Sequence, residues 1–320
     1  MESIALATSK PVYDNHRVRK AYEALDGAGS EALGKLYRSM LDGSAERFVV
    51  KPSRQADLSG LYLSMPNFGE ALDEIKRQVA LACSSTDDLD IHPMLLLGDP
   101  GIGKTRFAKE LSKLISTGFT MCPMSSLTAG WILSGASSQW KSAKTGKVFD
   151  ALVRGQYANP VMLVDEIDKA SGDGQYDPLG SLYTLLERDT ARDFVDEFAE
   201  VPIDASSVVW VCTANDAASV PSPLLSRMNV FEIPAPDEAA KRVIAQAIYA
   251  ETWEAKNWAK RFPSELGQGA LGKLMEYSPR EMRKAIGAGF GNAHLAGRDE
   301  VMAEDIPESS SLGGSRIGFL

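Results

Sequence analysis

Gly98-Asp99-Pro100-Gly101-Ile102-Gly103-Lys104-Thr105 fits the phosphate-binding pattern G-x-x-x-x-G-K-[S/T] at every fixed position. Its flanks suit that reading. Met94 to Leu97 form a short apolar run, as a buried parallel strand does. Beyond the loop, Phe107, Leu111, Leu114 and Ile115 recur at helical spacing, so the loop should open a helix with one buried face. Strand, glycine loop and helix in that order let backbone N–H groups curl around phosphates and add the partial positive charge of a helix N-terminus. Lys104 is expected to reach the β- and γ-phosphates, and the Thr105 hydroxyl to take a place on Mg²⁺.

A second constellation lies downstream. Val161-Met162-Leu163-Val164 ends in Asp165-Glu166, the pattern of a buried strand that carries acids to the C-terminal edge of a parallel sheet, where open α/β sheets bind ligands. Asp165 would hold Mg²⁺ and Glu166 would polarise the attacking water. A third apolar run, Val208 to Cys212, leads into Thr213-Ala214-Asn215, where a polar side chain could meet the γ-phosphate or that water. Arg227 follows a short apolar helical turn, Pro223-Leu224-Leu225-Ser226.

The remaining chain divides around this core. Over residues 1–60, Val18, Tyr22 and Leu25, then Leu33, Leu36, Tyr37, Met40 and Leu41, predict two short helices in a separate helical extension, and the polar segment from Pro52 to Ser59 reads as a linker. A helix is expected from Phe68 to Ala82, with Phe68-Gly69 either an aromatic face for adenine or plain packing. The nucleotide-binding domain is placed at residues 61–236. Helical periodicity resumes after Pro236, through Val243, Ile244, Ala247 and Ile248 and later Met282, Ala285 and Ile286, which sets a helical domain at 237–305 and a flexible tail at 306–320.

Composition limits the function classes. The 320 residues carry a formal net charge of −9, which argues against a surface dominated by nucleic-acid phosphate contacts. Cys83, Cys122 and Cys212 are far apart, and with His16, His92 and His294 they give no zinc-ligand spacing. No basic region followed by an apolar core opens the chain, and no apolar run reaches the length of a membrane span, so a cytoplasmic protein without membrane contact is expected.

Five segments together, GDPGIGKT, VMLVDEIDKA, DPLGSLYTLLERD, VVWVCTAND and PSPLLSRMNV, give the region from about Phe68 to Glu300 a specific resemblance to the ATPase module of the AAA+ superfamily, most closely that of the Lon proteases. The resemblance implies an α/β P-loop NTPase fold with a parallel five-stranded sheet flanked by helices, followed by a small α-helical lid. It implies ATP and Mg²⁺ as cofactors, with Lys104 and Thr105 of Walker A, Asp165 and Glu166 of Walker B, Asn215 as sensor 1 and Arg227 as an arginine finger. Arg280, in Ser278-Pro279-Arg280, stands where the family carries its sensor 2 arginine, and Arg283 is the neighbouring alternative. A finger that completes a neighbour's site implies a homo-oligomeric ring, commonly a hexamer.

The chain departs from that family in two ways. A Ser-Lys peptidase domain has no counterpart after the lid, so peptidase activity is not expected of this polypeptide, and the place is open for a separate protease or adaptor as a partner. Trp140 and Lys141 stand where related unfoldases carry a pore loop that grips protein substrate, yet Lys141, Ser142, Lys144 and Lys147 add polarity, and a tryptophan packed under its own loop fits the sequence equally. The leading expectation is an ATP-hydrolysing ring motor that remodels or unfolds proteins. The alternative is a nucleotide-dependent loader or switch acting on nucleic acid or a partner complex.

Overall fold

The computed structural model describes residues 5–25, 31–53, 58–125, 129–140, 143–170 and 177–308. The chain divides into two units: Met1–Asp57, Asp73–Leu97 and Thr105–Glu232 form the first, and Leu58–Leu72, Gly98–Lys104 and Ile233–Leu320 the second.

Among the described residues nine strands occur, all in the first unit: β1 (Ala5–Pro11), β2 (Glu46–Pro52), β3 (Met94–Leu97), β4 (Phe119–Pro123), β5 (Val161–Asp165), β6 (Phe194–Val195), β7 (Pro202–Ile203), β8 (Val209–Ala214) and β9 (Asn229–Glu232). Five make one sheet in the order β4-β5-β8-β3-β9, and all four pairings are parallel. The three apolar runs of the sequence are its three central strands. Every residue of β8 is buried, as are all of β5 except Asp165, because a parallel sheet covered on both faces takes near-continuous apolar strands. The helix Lys104–Leu114 buries Phe107, Ala108 and Leu111, so the helix expected after the glycine loop is present.

The N-terminal segment is more than the two helices its periodicity predicts. Helices Asn15–Glu23 and Glu31–Asp42 are there, but β1 and β2 flank them and pair antiparallel from Ala5↔Pro52 to Pro11↔Glu46. Nor do these residues form a separate extension. Val12, Val18, Leu36, Tyr37, Met40 and Val49 are buried in the same apolar core as Met162, Val164, Trp210 and Cys212 of the sheet. The buried Asn159 amide adds a tie, accepting from Val50 N at 3.0 Å and donating to Val50 O at 2.7 Å, as another strand would. The break between units after Asp57 falls within the segment expected as a linker.

In the second unit, helices Glu238–Ala255, Gln268–Leu274 and Pro279–Leu295 close around Ile244, Ile248, Tyr249, Leu274, Ile286 and Phe290. Tyr249 stacks on Phe290 with ring centroids 4.8 Å apart. Val243, expected on the apolar face, is exposed; the buried stripe runs through Ala245 and Tyr249 instead. The C-terminal helices of this unit resemble a lid, and Leu58–Leu72 and Gly98–Lys104 are grouped with them. No helix among the described residues is long and apolar enough to cross a membrane.

Candidate functional site

The phosphate loop turns on glycines. A Cβ on Gly98 would lie 2.5 Å from the Ile233 carbonyl oxygen, so only glycine fits there. Gly101 has φ +84°, and a Cβ on it would stand 3.1 Å from Cβ of Arg280. Arg280 thus occupies the first turn of the helix Pro279–Leu295, directly against the phosphate loop. That turn is fixed by a reciprocal cap: Ser278 Oγ accepts from Glu281 N at 3.4 Å, and Glu281 Oε2 accepts from Ser278 N at 2.9 Å. Lys104 is mostly buried, and its ammonium donates to the carbonyls of Gly98 and Asp99 in its own loop. Pro100 and Ile102 complete the loop, Ile102 buried. Phe68 is buried with its ring beside Gly103, which is the packing alternative of its two expected roles.

The acids stand at the C-terminal end of β5. Asp165 is the last residue of the strand, and its Oδ1 accepts from Thr213 Oγ1 at 2.7 Å. The same Thr213 oxygen accepts the backbone N–H of Glu166 at 2.9 Å. Glu166 has left-handed backbone, φ 59° and ψ 52°, which costs a non-glycine residue about 1–3 kcal/mol and is characteristic of strained functional turns. Its carboxylate pairs with Lys169 at 2.7 Å. Asp168 in the same turn accepts from Asn215 N at 3.1 Å, while its other oxygen is buried without a hydrogen-bond partner. Two links therefore tie the acidic turn to the end of β8.

Thr213 and Asp168 carry these links, and neither was singled out from the sequence. The signal available was the D-x-x-D spacing of Asp165 and Asp168 and a threonine closing an otherwise apolar strand. Both read equally as a helix cap and as strand propensity, because the partner each needs is some 47 residues away in the chain.

Arg227 follows the short helix Ser222–Leu225. Its Nε lies 3.0 Å from Glu187 Oε1, one terminal nitrogen donates to Pro223 O at 2.6 Å, and the guanidinium sits 5.9 Å from the Tyr183 ring centroid. Arg283, the alternative to Arg280, pairs with Glu251 at 2.8 Å.

Trp140 is 55% exposed and lies against Trp131, itself 37% exposed, with centroids 5.7 Å apart and planes at 57°. It is not packed under its own loop. Lys141, expected beside it in the grip, lies outside the described residues. Lys147 donates to the Met121 carbonyl at 2.6 Å, toward β4.

The chemistry of these groups fits a nucleotide with Mg²⁺. Gly98, Gly101 and Gly103 all have positive φ, the backbone a phosphate-cradling loop needs, and the loop runs into the helix Lys104–Leu114. Among the described residues no three His, Cys, Asp or Glu converge as metal ligands, and Mg²⁺ asks for few protein ligands, commonly one or two carboxylates with phosphate and water oxygens.

Comparison with known proteins agrees with this arrangement. Residues 94–234 match the model of the ATPase family associated with various cellular activities (AAA). The mitochondrial Lon protease homolog of Schizosaccharomyces pombe is 34% identical over 188 residues, 59% of this chain and 18% of that protein. The Lon protease of Lachnoclostridium phytofermentans is 30% identical over 196 residues, 61% of this chain and 24% of its own length. The match therefore spans about a quarter or less of these relatives. Among solved structures, Saccharomyces cerevisiae Hsp104 in an extended complex with casein superposes with a TM-score of 0.58 at 17% identity, over 74% of this chain and 46% of that one, a likeness of fold.

Proposed function

We propose that this chain, whose AAA+ ATPase domain is homologous to the ATPase module of the Lon proteases, uses ATP hydrolysis to pull on polypeptide from within a ring of identical subunits. The observation that carries the reading is the bracing of Asp165 and Glu166 by Thr213, which holds a strained acidic turn ready beside the end of β8. Lys104 exchanges the carbonyls of its own loop for phosphate oxygens. Thr105 and Asp165 would hold Mg²⁺, which would supply charge neutralisation at the phosphates. Glu166 takes the proton of the attacking water once its carboxylate is released from Lys169.

Arg227 offers its guanidinium to the nucleotide of a neighbouring subunit. Arg280, seated on the phosphate loop at Gly101, links the state of the bound phosphates to the helical unit it belongs to. Hydrolysis then becomes movement, with Trp140 as the contact to substrate. Polypeptide is favoured over nucleic acid because Lys147 turns to the Met121 carbonyl and the chain is acidic overall.

The test is ATP turnover against protein concentration, with mass by light scattering, for wild type and Arg227→Ala, each with and without an unfolded polypeptide. Turnover that rises with assembly, collapses in Arg227→Ala and is stimulated by polypeptide supports the reading. A monomer whose turnover ignores both Arg227 and polypeptide would sink it.

A further inference from the structure

The loop that carries Trp140 has a neck, and a buried carboxylate fills it. Gly135 and Gly146 cross so closely that a Cβ on Gly146 would lie 2.1 Å from the Leu133 oxygen and 2.5 Å from Gly135 N. A Cβ on Gly135, whose φ is +78°, would meet both Asp196 carboxylate oxygens at 2.9 Å. Asp196 follows β6 and is fully buried. One of its oxygens accepts from Gly146 N at 2.7 Å, and the other from Phe198 N and Ala199 N, both at 3.0 Å.

The neighbours of Asp196 repeat the connection. Glu197 N donates to Ser134 O at 2.7 Å, and Ser138 Oγ donates to Glu200 Oε1 at 2.5 Å. One short segment between β6 and β7 thus holds both sides of the neck and one shoulder of the loop. Trp131 is joined to the same neck, its carbonyl accepting from Gly135 N at 3.0 Å, and its ring lies beside that of Trp140.

Burying a carboxylate is costly unless its oxygens are satisfied, and an apolar residue would fill the space more cheaply. What an apolar residue could not do is bind amides of two separate segments at once. We propose that Asp196 is a positioning residue for this loop: by joining Gly146 to the 198–199 turn, it keeps Trp131 and Trp140 together as one two-ring surface that grips extended polypeptide. The proposal rests on the reading that Trp140 contacts polypeptide. It adds Trp131 to the grip and makes the β6–β7 segment the support of both rings.

Asp196→Asn tests it in the full chain, because one amide oxygen can still accept from the 198–199 turn while the amide NH₂ faces Gly146 N–H and breaks the neck. Two indoles at this separation and tilt couple excitonically in far-ultraviolet circular dichroism, a signature that a general loss of stability below the melting transition would not remove. The expected result is loss of that couplet and at least a fivefold rise in the KM for reduced, carboxymethylated lactalbumin as stimulator of ATP turnover, with kcat within twofold. Trp131→Ala should raise the same KM. An unchanged couplet and KM in Asp196→Asn overturns the proposal, and so does an unchanged KM in Trp131→Ala. Trp140→Ala separates the two levels: if it leaves polypeptide stimulation intact, the functional reading itself fails. Should Asp196→Asn melt below the assay temperature, Gly135→Ala presses a methyl group on the same carboxylate, and an unchanged couplet and KM there overturns the proposal equally.

Discussion

Thr213 Oγ1 donates to Asp165 Oδ1 at 2.7 Å and accepts from Glu166 N at 2.9 Å, so one buried hydroxyl orients both acids at the end of β5. Thr213→Val keeps the shape and removes both bonds. The strained backbone at Glu166 then loses a tether, and a half-buried N–H and carboxylate oxygen lose partners, at about 1 kcal/mol each. We expect ATP turnover to fall roughly 10- to 100-fold, the usual effect of removing a group that orients a site's ligands. Thr213→Ser should restore most of it. Single-turnover hydrolysis beside nucleotide binding would show whether the loss lies in the chemical step; equal loss in Val and Ser variants would exclude the hydroxyl.

Gly101 and Arg280 make a second prediction. Alanine at Gly101 must adopt φ +84° and bring its methyl to 3.1 Å from Arg280 Cβ. The left-handed backbone alone costs about 1–2 kcal/mol, so nucleotide affinity should weaken by about tenfold. Arg280→Gly removes the Cβ that the methyl would meet and should recover part of that affinity loss when combined with Gly101→Ala. Titration with a fluorescent ATP analogue across the four proteins of the cycle measures the coupling, and strict additivity would deny a shared contact.

How much of this was legible in the sequence depended on how local each signal was. The loop from Gly98 to Thr105 and the strands ending at Leu97, Asp165 and Ala214 announced themselves through fixed spacing and unbroken apolar runs. β1 and β2 did not. Leu6 to Ser9 are exposed with no apolar alternation, and Ala5–Pro11 is a strand because Glu46–Pro52 pairs with it across two intervening helices. β4, FTMCP, lacks alternation and is defined by its pairing with β5. Asp168, Asp196 and Thr213 were hidden for a different reason: a single acid or hydroxyl has meaning only beside the amide or carboxylate that chain folding brings to it. Trp140 was visible as a candidate, but its exposure and its partner Trp131 were not, since an indole in a glycine-flanked loop packs inward as readily as outward.

Arg227 and Glu187 should separate a catalytic charge from its holder. The pair is 28% and 51% exposed, so it is worth about 1 kcal/mol at most. Glu187→Gln should accordingly change turnover by less than about fivefold. Arg227→Ala, if the guanidinium completes a neighbour's site, should lower turnover by about 10³-fold or more without lowering nucleotide affinity in step. Turnover at saturating ATP, at concentrations where light scattering reports the assembled form, distinguishes the two. Similar small effects from both variants would make Arg227 a structural partner of Glu187 and Tyr183 only.

Asp196 predicts a pH dependence opposite to that of an ordinary ion-paired carboxylate. Burial pushes its pKa up to about 6 from the model-peptide value of 3.8, with Asp150 adding to the rise, while the amides of Gly146, Ala199 and Phe198 oppose it. A raised folded-state value means that the folded form binds the proton more tightly than the unfolded form. The contribution to stability is therefore fully present below about pH 4 and is lost as pH rises through about 6. The difference amounts to about 3 kcal/mol at most. Other carboxylates shift the whole protein the other way in acid, so the comparison must be with Asp196→Asn, which does not titrate. Melting temperatures of the two proteins from pH 4 to 7 should converge or cross: wild type should lose roughly 5 °C relative to the variant as pH rises. A constant difference across that range would mean that the amide donors at the neck outweigh burial and that Asp196 is ionised throughout. The carboxylate would then hold Gly146 as a permanent charged acceptor, and the Trp140 loop would stay anchored equally well at pH 5 and pH 7.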